Sequence, residues 1–254
     1  VDAMAADIFD MHCHLGFYEN PGEAATELSR LGVSGICATV TPDEYARLSN
    51  KAQVAEAFRL GVGLHPWWLA DGRCTKADVR QAAEIAAECT HIAEIGLDFS
   101  HGRDACARTQ VEALDILLEA CAASHHVLSI HAVASATTLL DALERHRTHE
   151  TSTPILHWFS GSGDELVRAR QMGCLFSVNE FMLATRRDRA YARQIPTGQL
   201  LLETDLPAEP GHPLAVSPAE HARRLRATLD ALCELRGEDV RDAIARTSRE
   251  LLAP

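Results

Sequence analysis

Ile8-Phe9-Asp10-Met11-His12-Cys13-His14 is a short apolar run that ends in two histidines. Side chains on a strand alternate faces with period two, so His12 and His14 point one way and Cys13 the other. Two imidazoles on one face at a strand tip suit chelation of a metal ion. The pattern is weak alone, because histidines one residue apart also occur on wet loops. It gains force because the chain repeats it. Further apolar runs lie at 35–40, 60–64, 92–95, 127–130, 154–156, 175–178 and 199–202.

Helical patterns fill the intervals. One covers 22–31. Thr41-Pro42-Asp43-Glu44 opens the next, with Thr as N-cap, Pro at the first helical position and Glu at the third. Another spans 77–89, and Val111, Leu114, Leu118 and Cys121 mark a further one at helical spacing. Ser162-Gly163-Asp164-Glu165 is a capping box whose helix stops at Gly173. Ser217-Pro218-Ala219-Glu220 caps the next, and a last helix covers 240–251.

Eight strands alternating with helices predict an α/β chain with a parallel sheet, a TIM-type (β/α)8 barrel. The 254 residues match the ~250 typical of one such barrel. An open doubly wound sheet would carry a glycine-rich first turn, whereas this one reads His12-Cys13-His14-Leu15-Gly16. Residues 1–254 are read as one domain, with 1–6, including Val1-Asp2-Ala3 ahead of Met4, as a cloning remnant or disordered lead-in.

The formal charge of −12 argues against a protein that coats nucleic acid. It argues less against an enzyme whose bound cations meet the phosphate. Hydrophobic content of 46% and charged content of 24% are those of an ordinary globular protein. No apolar run is long enough to span a bilayer, and no signal-peptide pattern is visible, so no membrane partner is expected. Eight cysteines, with no CxxC pair, sit mostly in apolar runs. They read as reduced core residues of a cytoplasmic protein.

Metal-type side chains close six of the eight runs: His12 and His14, His65, Glu94, His131, His157 and Asp205. In a β/α barrel the strand C-termini converge on one mouth, where active sites lie. Glu94, inside Ile92-Ala93-Glu94-Ile95-Gly96-Leu97-Asp98, is a carboxylate in a buried strand, which is costly unless a cation or partner compensates. Asp98 reads as a turn cap. His91, His125, His126, His146, His149 and His221 read as solvated residues of helices or helix ends, and His101 and His212 as loop residues. Even four of these five histidines, with two or three carboxylates, exceed the needs of one ion. They suit two divalent cations ~3.5–4 Å apart, and the ligand types admit Zn, Mg or Mn.

In order, Asp10-Met11-His12-Cys13-His14, Gly63-Leu64-His65-Pro66, Ala93–Asp98, Ser129-Ile130-His131, His157-Trp158-Phe159-Ser160-Gly161 and Glu203-Thr204-Asp205-Leu206-Pro207 resemble the TatD family of metal-dependent deoxyribonucleases, over about residues 8–252. Segments 157–162 and 173–183 are similar to QatD, the TatD-like nuclease of the bacterial Qat anti-phage defence system. The resemblance implies a barrel and a two-metal site with His12, His14, Glu94, His131, His157 and Asp205 as ligands, Glu94 bridging. It implies a DNA substrate, single-stranded or at ends, and protein partners of a defence complex. On this reading Asp205 accepts the proton of the attacking water, and His65 donates near the scissile phosphate. Arg186, Arg187, Arg189 and Arg193 hold the DNA backbone or form a solvated helix face, and Trp67 and Trp158 stack on a base or simply pack.

Three departures bear on substrate preference. Ala132-Val133 stands where relatives often carry Ser-Arg, the segment after Asp205 lacks Asn-x-Pro, and Thr247-Ser248-Arg249 lacks the usual Asn. Two alternatives are a barrel hydrolase of small esters, amides or phosphoesters, and a non-catalytic partner-binding subunit. Many amidohydrolases bridge their metals with a carboxylated lysine near the end of strand four. Glu94 occupies that place here, and no Lys lies between 77 and 254.

Overall fold

The computed structural model describes residues 7–253. The expectation for residues 1–6 lies outside them. The strands are β1 (Ile8–Cys13), β2 (Val33–Ala38), β3 (Phe58–Gly61), β4 (His91–Asp98), β5 (Val127–Val133), β6 (Thr153–His157), β7 (Leu175–Val178) and β8 (Leu200–Leu202), with helix between each consecutive pair. This is the strand–helix alternation of the (β/α)8 class. Two compact units share the chain, one formed by 7–37, 47–60 and 176–253, the other by 38–46 and 61–175.

In the first unit β1 pairs parallel with β2, Ile8 opposite Val33 and Asp10 opposite Gly35, and β3 follows β2. β7 pairs parallel with β8, Phe176 opposite Leu200. Beyond β8 the backbone turns onto β1: Asp205 N donates to His12 O and His14 N to Leu206 O, both at 2.9 Å. All six residues of β1 are buried, as expected for a parallel strand covered on both faces.

In the second unit β4, β5 and β6 run parallel, Gly96 opposite His131 and Leu128 opposite Pro154. Two glycines let backbones close up beside functional positions. A Cβ on Gly63 would lie 1.7 Å from Thr39 O and 2.4 Å from Glu94 N. On Gly96, whose φ is +146°, it would lie 2.0 Å from His131 O.

The capping signals act as read. Ser162 and Glu165 exchange both bonds of the capping box, Ser217 Oγ accepts from Glu220 N, and Thr41 Oγ1 accepts from Glu44 N. Four helices were not placed from the sequence, Ala52–Ala57, Pro66–Ala70, Ala136–Arg145 and Thr148–Thr151, and Arg186–Gln194 is the helix that the solvated-face reading of its arginines allowed. The first two are too short to show a period. Ala136–Arg145 opens on Ser135, whose side chain makes no cap bond. Arg186–Gln194 buries only Asp188, Tyr191 and Ala192, so it lacks an apolar stripe. Three histidines expected to be solvated are buried: His91, His126 and His221. His91 opens β4 instead of closing a helix, His126 donates from Nδ1 to Cys89 O at 2.7 Å, and His221 lies on the inner face of its helix.

Candidate metal centre

In the second unit three imidazoles converge on one carboxylate oxygen. Glu94 Oε1 lies 2.8 Å from His157 Nε2, 2.9 Å from His131 Nδ1 and 3.3 Å from His65 Nε2. The two ligand-type nitrogens of His131 and His157 are 3.4 Å apart. Glu94 is only 1% exposed, in an apolar strand, so its charge needs compensation from within the protein.

Neighbouring groups set the ring tautomers. His131 Nε2 donates to Asp98 Oδ2 at 3.0 Å. In the neutral ring that leaves the Nδ1 lone pair facing Glu94. Two acceptors 2.9 Å apart are compatible with a shared proton or a shared cation, and a carboxylate behind a histidine is the usual support of a metal-ligating imidazole. Burial pulls the His131 pKa down, but the Asp98 and Glu94 bonds outweigh it and raise it. His65 is different. It is the N-cap of Pro66–Ala70, and its Nδ1 accepts from Trp67 N at 3.1 Å. The proton of the neutral ring therefore sits on Nε2, which makes His65 a donor toward Glu94.

Asp98 gathers four donors: His131 Nε2, Trp67 Nε1, Ser100 N and Ser100 Oγ. Burial works to raise its pKa, and the bonds from His131, Ser100 and Trp67 override it and lower it. It caps the turn at Ser100, as expected, and is in addition a buried support of His131.

In the first unit Asp205 Oδ1 lies 3.1 Å from His14 Nε2 and 3.6 Å from His12 Nε2. Asp205 has a φ of +57°, a left-handed conformation that Asp tolerates better than most residues. Its neighbour Thr204 donates from N and from Oγ1 to Asp10, which also accepts from His12 N and from His221 Nε2 at 2.7 Å. Tyr18 OH completes the chain by donating to His221 Nδ1 at 3.0 Å. Asp10 and His221 are both fully buried. They fix the turn that carries Asp205.

Imidazole nitrogens and carboxylate oxygens in two sets, buried apart from the half-buried Asp205, are a donor mixture suited to Zn, Mg or Mn. The family profile described as TatD related DNase matches residues 9–252. The chain belongs to the TatD-related DNase family. It is accordingly a metal-dependent hydrolase. The 3'-5' ssDNA/RNA exonuclease TatD of Citrobacter rodentium is 25% identical over 238 residues, covering 91% of this chain and 90% of that protein. Deoxyribonuclease Tat-D of Schizosaccharomyces pombe is 29% identical over 114 residues, 45% of this chain and 36% of that protein. The crystal structure of YJJV, a TatD homolog from Escherichia coli K12, matches with a TM-score of 0.80 at 25% identity, covering 99% of this chain and all of that one. An uncharacterized amidohydrolase from Saccharomyces cerevisiae shares the fold, with a TM-score of 0.75 at 15% identity over 96% of this chain and 99% of that one.

For this TatD-family chain the sequence reading missed four supporting residues. Asp10 had a signal, because it is a carboxylate inside an apolar strand like Glu94. His221 had one too, since it shares a helix face with Leu225, Leu229 and Leu232. Glu203 is fully buried and accepts from Ser177 Oγ and from Asn179 Nδ2, which holds the segment after β7 against β8. Asp98 gave no local sign of its partners. Of the four arginines after β7, Arg187 pairs with Asp188, Arg189 donates to Leu183 O and Arg193 to Leu235 O, while Arg186 is exposed. Among the described residues no helix is long and apolar enough to cross a membrane.

Proposed function

We propose that this single-domain barrel is a deoxyribonuclease that hydrolyses phosphodiester bonds of single-stranded DNA or DNA ends. In this reading His12, His14, Glu94, His131, His157 and Asp205 would hold two divalent ions, Zn, Mg or Mn. The observation that carries it is the meeting of three imidazole nitrogens on Glu94 Oε1. Family membership supports a nuclease, and the name of the Citrobacter rodentium relative supports a single-stranded substrate.

Ions held there would supply a water of lowered pKa and charge compensation for the phosphate. The chain's own residues do the rest. Asp205, held in its turn by Thr204 and Asp10, accepts the proton of the attacking water. His65 presents Nε2–H to a phosphate oxygen. Asp98 keeps the proton of His131 on Nε2 and its lone pair on Nδ1.

The test is cleavage of labelled single-stranded and nicked DNA with Mg or Mn, wild type beside Asp205→Asn. The variant is expected to lose at least ~10²-fold in rate. Equal rates would sink the mechanism. Elemental analysis after gentle purification is expected to approach about two ions per chain.

The same reading extends to anti-phage defence in complex with other proteins, on the likeness of segments 157–162 and 173–183 to QatD. Bacteria carrying the chain with its genomic neighbours should plate phage poorly, and Asp205→Asn should restore plaques. Eight cysteines without a disulfide suit a reducing cytoplasm.

A further inference from the structure

Trp67 is 39% exposed, and among the described residues it is the one aromatic in the set of exposed large hydrophobics. Its ring stands edge-on to His65, with centroids 5.0 Å apart, and to His131, at 6.1 Å. The indole N–H is anchored on Asp98, so the plane of the ring is fixed. The Arg103 guanidinium lies over that ring, 4.2 Å from its centroid.

Arg103 is also held in place. Its Nη1 donates to Ser100 Oγ at 3.0 Å. The buried Gln110 side chain clamps the loop between Asp98 and Arg103: its Oε1 accepts from Asp98 N, and its Nε2 donates to Asp98 O and Arg103 O. No carboxylate pairs with Arg103 among the described residues. The adjacent stack makes the contrast. Arg73 lies 3.8 Å over Trp68, but its charge is spent on Asp71 at 2.7 Å. In a chain of net charge −12, a guanidinium held over an exposed indole beside His65, with Asp71 acting on it only through space, is a placement that serves a polyanion.

We infer that Trp67 and Arg103 form a nucleotide-holding subsite, which takes one base against the indole and one phosphate of a single-stranded polynucleotide on the guanidinium. The inference rests on the nuclease reading above and deepens it. Arginine on phosphate supplies affinity with little sequence preference, and an aromatic face accepts any base. The acidic chain would thus grip its substrate at a local basic point next to the chemistry.

The experiment measures binding of a fluorescein-labelled phosphorothioate oligothymidylate by anisotropy, with Mn present, over a range of salt. The KM and kcat for the cleavable oligonucleotide are measured alongside. Arg103→Ala is expected to raise Kd and KM by about ten-fold with kcat little changed, and to reduce the slope of log affinity against log salt by about 0.7. Arg108→Ala, whose side chain is exposed and paired with Glu112, should change neither. Trp67→Ala should weaken binding by about ten-fold, and Trp67→Phe far less. Both Trp67 variants lose the bond to Asp98, so a role confined to that bond would make them equal. Equal Kd values for Phe and Ala, or an unchanged salt slope in Arg103→Ala, overturn the subsite and leave the nuclease reading intact. Wild-type protein that neither binds nor cleaves the oligonucleotides overturns both.

Discussion

Asp98→Asn tests whether the support behind His131 matters as much as the ligands. Asp98 Oδ1 accepts from Ser100 N and Ser100 Oγ, and Oδ2 accepts from His131 Nε2 and Trp67 Nε1. An asparagine has one acceptor oxygen and one NH2 group. Whichever way the amide is turned, one pair of donors faces another donor. Two buried donors left unmade at ~1–3 kcal/mol each give a loss of about 2–6 kcal/mol. That is a large part of the ~5–15 kcal/mol that holds a typical domain folded. His131 has an escape, because it can move its proton to Nδ1, but that turns an N–H toward Glu94 and removes the lone pair proposed for the ion. Metal affinity should fall by about 10–100-fold. Urea denaturation and calorimetric titration with Mn measure the two effects on the same preparations. An Asp98→Asn protein with wild-type midpoint and wild-type Mn affinity would refute the tautomer argument, since no other acceptor replaces Asp98 in that geometry.

Gly96→Ala places a Cβ 2.0 Å from His131 O, so β4 and β5 must part by more than an ångström. Overpacking of this kind costs about 1–3 kcal/mol, and the displaced His131 should lower kcat by ~10²-fold; thermal melting and single-turnover cleavage read both. Asp10→Ala strands the His221 and Thr204 donors and should destabilise by about 3–5 kcal/mol, whereas Tyr18→Phe, one hydrogen bond, should cost about 1 kcal/mol by urea denaturation. Glu165 is drawn below the ordinary glutamate range, because its bonds from Thr137 and Ser162 override the opposing effect of burial. Its folded pKa is the lower one, so its contribution is complete above pH ~4.3 and fades as pH falls through the folded value. Glu165→Gln should therefore lower the melting temperature at neutral pH and converge with wild type in acid.

The strands and their metal-type termini were legible because burial on both faces demands unbroken apolar runs, against which a histidine or acid at the exit stands out. Glu94 was found by the cost of a buried carboxylate. The same cost applies to Asp10, a carboxylate inside an apolar strand. Helix Arg186–Gln194 was legible only as a solvated-face alternative for its arginines, since five of its nine residues are charged and no apolar stripe reveals its buried side. Asp98 shows where linear reading stops. Its donors come from residues 67, 100 and 131, and only the fold brings them to one carboxylate.

The clamp on Asp10 has a bearing on how the chain is made. Its partners Thr204 and His221 follow it by 194 and 211 residues. A ribosome adding ~5–20 residues each second needs about 10–40 s to deliver them. Throughout that interval the first strand emerges as an oily ribbon with an unanswered negative charge. Slow codons placed before Thr204 would prolong its vulnerability to chaperones and proteases, while those placed after His221 would not.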